Sequence, residues 1–536
     1  MNRNSNKTKV LVVGLDGASL PHIQSLIAKK KLPFLQKMMV AGSYGNLKSS
    51  LPLNSAASWA SFFSGKNPGK HNIYDFVKFN GSLSEPSIIN NNTSKSDLIW
   101  HITDKHSLKT IYFNIPIVTE SVKVNGIMVS GFATSGDTPF AYPNSIHQDL
   151  LDSNYKTDSA PFWHFKADDY FNEIKQTFEK QSNSFHQLIK EHYWDLAIVT
   201  FNALSKILQS FGDEQDKVEF FYSLFDSYLQ RLFDSIGENT YFLLLSNHGF
   251  KPVTKKFFVN EWLWELGLLN RKITTKQSRI TDIDEVLFNP NGNREALLTK
   301  LLTKSGITKK NIRSILPNST RETLKQALPL SVRKFFHREY LDIKWGKTQA
   351  YFVSENVQGI NINLKGREPY GIAEPGKEFE QLRDKIISEL YHYKDPYTFE
   401  HIVEEVHKKE DIFQGENLEN APDILIVPFE NNYYLDSNKR TSRMVVGAAN
   451  DEYPVYGNKD RNGVFLMTGP NIKQGTTISN LTIYDIVPTI LHLFGINENK
   501  GFDGKVVSNI FSDFEHKDET YITNSIQKEE FVPIVT

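Results

Sequence analysis

Val10-Leu11-Val12-Val13-Gly14-Leu15-Asp16-Gly17 is an apolar, β-branched run that breaks into a glycine-flanked acid. It reads as a buried parallel strand whose carboxyl end presents Asp16. Open α/β sheets bind their ligands along that edge. Working outward, similar runs recur at Thr110 to Phe113, Gly126 to Val129, Leu196 to Phe201, Tyr241 to Leu245, Asp423 to Val427 and Gly463 to Met467. Helical stretches separate most of them. Phe171 to Glu191 and Asp216 to Asp234 carry apolar residues at three- and four-residue spacing, as sheet-covering helices do. The alternation predicts an α/β fold with a mainly parallel sheet flanked by helices on both faces.

At 536 residues the chain exceeds one compact core of ordinary size, so one large domain with insertions or two to three domains are expected. Hydrophobic residues at 39%, charged residues at 23% and 37 Phe provide ample apolar area for burial and argue against disorder. A formal net charge of -1 gives no overall field to draw in nucleic acid or an anionic membrane, so neither is expected as a partner. Any anion site must be local. With no cysteine there is no disulfide, thiol nucleophile or thiolate ligand; a metal would need His, Asp, Glu or hydroxyl oxygen. Met1 to Lys9 is polar and basic, and the apolar run after it is too short for a signal-peptide core. No stretch is long enough to span a bilayer, and the expected location is the cytoplasm.

Between about Asn260 and Tyr340, Lys and Arg are scattered among Leu and Ile, the pattern of a largely helical insertion. Asn289-Pro290-Asn291-Gly292-Asn293 and Leu328-Pro329 break it. The expected organisation is a discontinuous core, 1–255 and 341–515, with a helical cap over 256–340 and a C-terminal tail over 516–536. The cap reads as a basic solvated surface that a protein partner can use, not as a nucleic-acid surface.

Several further segments occur in a telling order: Gly14-Leu15-Asp16-Gly17; Ser55-Ala56-Ala57-Ser58-Trp59 through Ser64-Gly65-Lys66-Asn67-Pro68-Gly69-Lys70-His71; Val124-Asn125-Gly126 to Phe132; Gly366-Arg367-Glu368-Pro369-Tyr370-Gly371; Asp485-Ile486-Val487-Pro488-Thr489-Ile490-Leu491; and Asp503-Gly504-Lys505. Together they resemble the type I phosphodiesterase and nucleotide-pyrophosphatase-like branch of the alkaline phosphatase superfamily, over most of the chain. The resemblance implies that superfamily's fold and a hydroxyl nucleophile at a helix start beside two zinc ions, with Ser55 at the nucleophile's position. A helix N-terminus suits a developing alkoxide and a bound anion. Read alone, Ser55 or Asn54 is as readily an N-cap.

For the metal beside the nucleophile the family uses an Asp on the first strand and an Asp-His pair in a Ser-Asp-His-Gly turn. Asp16 is present, but the turn reads Ser246-Asn247-His248-Gly249. A carboxamide keeps an oxygen donor and removes a full charge, so a divalent ion is held less tightly. For the second metal, the aligned positions are Ser205, Gln209 and Lys459, none a good zinc ligand. Ser205 and Gln209 share one helix face by spacing and can hydrogen-bond a substrate or be ordinary polar residues. Lys459 can occupy a vacated cation site as a point charge, or can simply be solvated. The resemblance therefore implies no cofactor or one divalent metal, zinc foremost, held by Asp16, Asn247 and His248. A full two-zinc centre is not expected.

Gly65 to Lys70 hints at a phosphate loop, but it is one residue short between the glycines and His71 replaces the magnesium-binding Ser or Thr. An NTPase is rejected. What is implied is a divergent enzyme, hydrolase or transferase, acting on a phosphate, sulfate or related activated ester. Ser55, His248 and Lys459 are its catalytic residues, and Ser205, Gln209 and Asn247 contact a small anionic or ester substrate. Because the missing ligands would serve the leaving group and the attacking water, group transfer is favoured over hydrolysis. The alternative is an inactive member that binds an anionic ligand or a protein partner. A third reading has Asp75, Asp451 or Asp460 rebuild a metal site.

Overall fold

The computed structural model describes residues 8–79, 86–132, 134, 139–160, 165–237, 239–271, 343–429, 432–437, 445–449, 456–497 and 501–512. Of the expected features, residues 272–340 of the helical cap, Asp451 and the tail 516–536 lie outside them.

The opening run forms the strand Lys9–Leu15, buried from Val10 onward. It pairs in parallel with Leu196–Phe201 on one side and with Thr240–Leu245 on the other. The sheet has nine strands. Thr110–Ile115, Gly126–Ser130 and Ala141–Tyr142 extend it beyond Leu196–Phe201, and Asn462–Thr468, Ser43–Lys48 and Thr476–Thr482 extend it beyond Thr240–Leu245. Only Asn462–Thr468 and Ala141–Tyr142 run against the others. The sheet is thus mainly parallel, as the buried apolar runs predict.

Side chains alternate between its two faces, since successive Cβ atoms of a strand point to opposite sides. Leu11, Val13, Ala197, Val199, Phe242 and Leu244 pack under the helices Ala167–Glu191 and Gln215–Phe233. Val10, Val12, Leu196, Ile198, Leu243 and Leu245 pack on the other face with Trp59, Phe62 and Phe63 of the helix Ser55–Ser64. Each Val, Leu, Ile or Phe among them, fully buried, contributes roughly 1.5–3 kcal/mol of transfer free energy. Three strands of this sheet have no counterpart among the apolar runs: Ala141–Tyr142 is only two residues long, and Ser43–Lys48 and Thr476–Thr482 are half exposed and interleave polar residues.

The run Asp423 to Val427 does become a strand, Ile424–Pro428, but in a separate four-stranded sheet with Ala350–Phe352, Gly359–Ile362 and Val403–Lys408. Its ladders are antiparallel. With Lys255–Phe258, Val259–Glu265 and Lys377–His392 it encloses its own core around Phe257, Trp262, Ile360, Ile386 and Tyr433. A smaller cluster of Leu51, Leu53 and Tyr74 with Phe413, Ala421 and Leu425 joins this second unit to the loop that leads into the Ser55 helix.

Candidate active site

Three loops at the carboxyl edge of the central sheet meet at one hydroxyl. Asp16 follows the first strand, His248 follows Thr240–Leu245, and Ser55 opens the helix Ser55–Ser64. Ser55 Oγ donates to Asp16 Oδ2 at 3.0 Å and lies 3.2 Å from His248 Nε2. All three residues are buried.

The cap and the reactive position are occupied by different residues. Asn54 is the N-cap, its Oδ1 accepting from the Ala57 backbone N–H at 2.9 Å. Its carbonyl accepts from Ser58 Oγ at 2.7 Å. Ser55, one residue inside, needs no capping bond and turns its hydroxyl to Asp16 and His248. The free amides of that first turn and the positive helix end favour an anion just beyond it.

Asp16 is held from both sides. Trp59, one helical turn after Ser55, donates from Nε1 to Asp16 Oδ1 at 2.7 Å. The indole reaches it because residue 14 is glycine: a Cβ there would meet Trp59 Cη2 at 2.4 Å. Burial raises the Asp16 pKa to about 6, opposed by the bonds from Trp59 and Ser55 and by the charge of Lys459. At neutral pH the carboxylate form dominates.

The His248 tautomer follows from its contacts. Its Nδ1 sits 2.9 Å from the Gly249 carbonyl, which can only accept, so the proton is on Nδ1. Burial, reinforced by Lys459, lowers its pKa to about 3. The ring is therefore neutral, with an Nε2 lone pair facing Ser55. The turn itself is tied down by Ser246, whose Oγ donates to the His248 carbonyl at 2.6 Å and accepts from the Ala18 N–H at 3.1 Å.

Lys459 lies on the strand Gly457–Asp460, opposite Phe250 of the paired strand Gly249–Pro252. Its charge lowers the pKa of Asp16, His248 and Asp75 alike. Its Nζ donates to Asn356 Oδ1 at 3.4 Å. The carbonyl of Asn356 accepts from Asn54 Nδ2 at 3.1 Å. One residue of the second unit thus touches both the lysine and the cap of the Ser55 helix. From sequence alone neither Asn356 nor Trp59 has a role, and the only signal for Trp59 is its place one helical turn after Ser55.

Ser205 and Gln209 occur together on the helix Ala203–Phe211, with Gln209 Nε2 3.3 Å from Ser205 Oγ. Ser205 is buried against Gly17, where a Cβ would meet its Cα at 3.3 Å; Gln209 is exposed. Asp460 is engaged elsewhere: Oδ2 pairs with Lys251 at 2.7 Å and Oδ1 accepts from the Asn462 N–H at 2.7 Å. His71, beside the loop that mimics a phosphate site, is fully buried between Ser61 Oγ at 3.0 Å and the Ile73 N–H at 3.1 Å.

Among the described residues no three His, Asp or Glu side chains gather where they could share a metal ion. One position beside Ser55 does offer donors. Asn247 Nδ2 donates to Ser58 Oγ at 2.9 Å, while its Oδ1 is buried without a hydrogen-bond partner. The Asn247 side chain also hydrogen-bonds Asp16, and with His248 Nε2 these are the residues that could hold one divalent ion. Ser205, Gln209 and Lys459 supply neither carboxylate nor imidazole for a second.

A family model for type I phosphodiesterase / nucleotide pyrophosphatase matches residues 10–458. The chain belongs to this family. Among solved structures, it is similar to human ectonucleotide pyrophosphatase / phosphodiesterase 5, at 11% identity and a TM-score of 0.51, covering 94% of this chain and 100% of that one. It is also similar to phosphonoacetate hydrolase from Sinorhizobium meliloti 1021, solved with phosphonoformate, at 12% identity and a TM-score of 0.52, covering 91% and 95%. These likenesses establish the alkaline-phosphatase-like fold. No curated protein sequence matches the chain.

Proposed function

We propose that this family member is an enzyme that transfers or hydrolyses a phosphate, sulfate or related activated ester through Ser55, without a two-zinc centre. The observation that carries this is the convergence of Asp16 Oδ2 and His248 Nε2 on Ser55 Oγ, at 3.0 and 3.2 Å.

Of the two acceptors, Asp16 is the stronger base, its pKa near 6 against about 3 for His248. Asp16 takes the Ser55 proton as Oγ attacks, and the His248 Nε2 lone pair is the weaker, competing acceptor for that proton. The first-turn amides and the Lys459 ammonium stabilise the charge that grows on the non-bridging oxygens. A zinc ion held by Asp16, Asn247 and His248 would supply further stabilisation of the Ser55 alkoxide. Lys459 can balance charge but cannot turn water into hydroxide as a metal does, lowering its pKa from about 15.7 to about 7. That deficit favours a lasting Ser55 adduct and transfer to an acceptor. Ser205, and Gln209 through it, contact the substrate from the facing helix.

The test is turnover of aryl methyl phosphodiesters and aryl sulfates by the parent and by Ser55→Ala, with intact-mass detection of an adduct. A parent adduct that vanishes with the hydroxyl is the expected result. Equal turnover by both proteins would sink the proposal.

A further inference from the structure

The hydroxyl of Ser55 has two acceptors for its proton, but a displacement also needs a proton for the oxygen that leaves. Lys459 stabilises negative charge without being a ready acid. One group near the site has no assigned task. Asp75 is buried, 4% exposed, and its Oδ1 accepts from the adjacent Phe76 N–H at 2.7 Å. Its Oδ2 is buried with no hydrogen-bond partner. A carboxyl oxygen in that condition costs roughly 1–3 kcal/mol, a cost a proton partner would relieve.

Its position is fixed against the Ser55 helix. The carbonyl of Tyr74, the preceding residue, accepts from Asn54 Nδ2 at 2.7 Å, and Asn54 immediately precedes Ser55. The same amide group binds Asn356, which in turn receives Lys459. Asp75 is therefore attached to the framework that places the nucleophile and the cation, and it feels the charge of Lys459 as Asp16 and His248 do. Burial favours the neutral carboxyl, with a pKa raised to about 7. A neutral carboxylic acid donates where a carboxylate cannot.

We infer that Asp75 is a second acid–base residue of this site, giving its Oδ2 proton to the departing oxygen. This rests on the reading of Ser55 as nucleophile. In the forward step the bond from Ser55 Oγ to phosphorus or sulfur forms, and the Oγ proton passes to Asp16. The bond to the leaving oxygen breaks with its electron pair, and that oxygen takes the Asp75 proton to depart as an alcohol or phenol. In the second step an acceptor hydroxyl or water attacks the adduct and gives its proton to Asp75. Ser55 recovers its own proton from Asp16. Both acids end as they began.

The experiment uses the full-length parent, Asp75→Asn and Asp75→Ala, with aryl methyl phosphodiesters and aryl sulfates whose phenols span strongly to weakly acidic. Expected is a loss of about 10²- to 10⁴-fold in kcat/KM on the esters of weakly acidic phenols. On nitrophenyl esters, which need no proton to leave, kcat/KM, which reads adduct formation, stays within a few-fold of the parent, while kcat falls because attack on the adduct still needs Asp75 as base. A uniform loss of kcat/KM across the series marks a structural residue and overturns the inference. The parent alone gives an independent reading that requires no variant to fold: its rates should depend only shallowly on phenol acidity, and a steep dependence overturns the assignment. A parent inactive on both series overturns the Ser55 reading and this inference with it.

Discussion

The Trp59 indole donates to Asp16 Oδ1 at 2.7 Å, leaving Oδ2 as the only oxygen of that carboxylate aimed at Ser55. Trp59 is 1% exposed and packs against Phe62 and Phe63, so the donor cannot swing away. The relationship restrains the rotation of a buried acid that would otherwise offer either oxygen. It also opposes the burial that raises the Asp16 pKa.

Replacing Trp59 by Phe keeps the aromatic packing and deletes the donor. Asp16 then loses its buried hydrogen bond from the indole, at a cost of roughly 1–3 kcal/mol. The Asp16 pKa should climb above its value near 6, since a bond that favours the charged form is gone. The expected outcome is a lower thermal midpoint together with reduced kcat on aryl esters at pH 7. A variant as active and as stable as the parent would show that the indole only fills space.

Lys459 acts on the same titration from a distance. Burial is the largest influence on Asp16, and the lysine charge opposes it. Lys459→Met removes that charge, so the Asp16 pKa should move up. Because the ionised carboxylate is the proposed base, activity rises as pH passes its pKa, and the acid limb of the kcat/KM profile should shift to higher pH. A fall of about 10²- to 10³-fold in kcat is expected as well, the scale seen when one charge-stabilising group is removed. An acid limb left in place would show that Lys459 does not act on Asp16.

The fate of His71 is a matter of stability. Burial lowers its pKa from 6.5 to about 3, and the Ile73 N–H occupies Nδ1, so the folded ring is neutral. The unfolded chain takes up a proton below pH 6.5. Between that pH and about 3 the unfolded state binds more protons, and stability is lost as pH falls. Asp16 and Asp75, with raised pKa values, act in the opposite direction over part of the range, so the comparison must be with a variant. His71→Gln should be less stable than the parent at pH 7, with the gap narrowing at pH 4.5. Thermal midpoints at the two pH values measure it; a constant gap would rule out the titration.

The fold was legible where burial is two-sided. Val10 to Val13 and Leu196 to Phe201 are buried at every position and apolar at all but Thr200, because helices cover both faces of the sheet, and such runs stand out. Ser43–Lys48 and Thr476–Thr482 were not legible, since they are half exposed. Within the site, Ser55, Asp16 and His248 came from the family resemblance and converge. Asn356 and the orphaned oxygen of Asp75 depend on long-range placement that no local pattern encodes. Other family segments turn out to brace the scaffold: Asp503 accepts from the backbone and side-chain amides of Asn67, and Arg367 pairs with the buried Asp423 at 2.7 Å.

The last prediction concerns Asn247, whose Oδ1 is buried without a partner and whose side chain hydrogen-bonds Asp16. Asn247→Asp changes one atom, keeps the shape and adds the negative charge that a hard divalent ion seeks. Zinc affinity by calorimetry should rise by about tenfold or more, the order by which single groups around metal sites change affinity. Without zinc the variant should be less stable than the parent, because a second carboxylate would be buried near Asp16. Added zinc should restore its thermal midpoint by preferential binding to the folded state. If Asn247→Asp binds zinc no better than the parent, then Oδ1 points away from the place where an ion would sit, and the single-ion site is wrong.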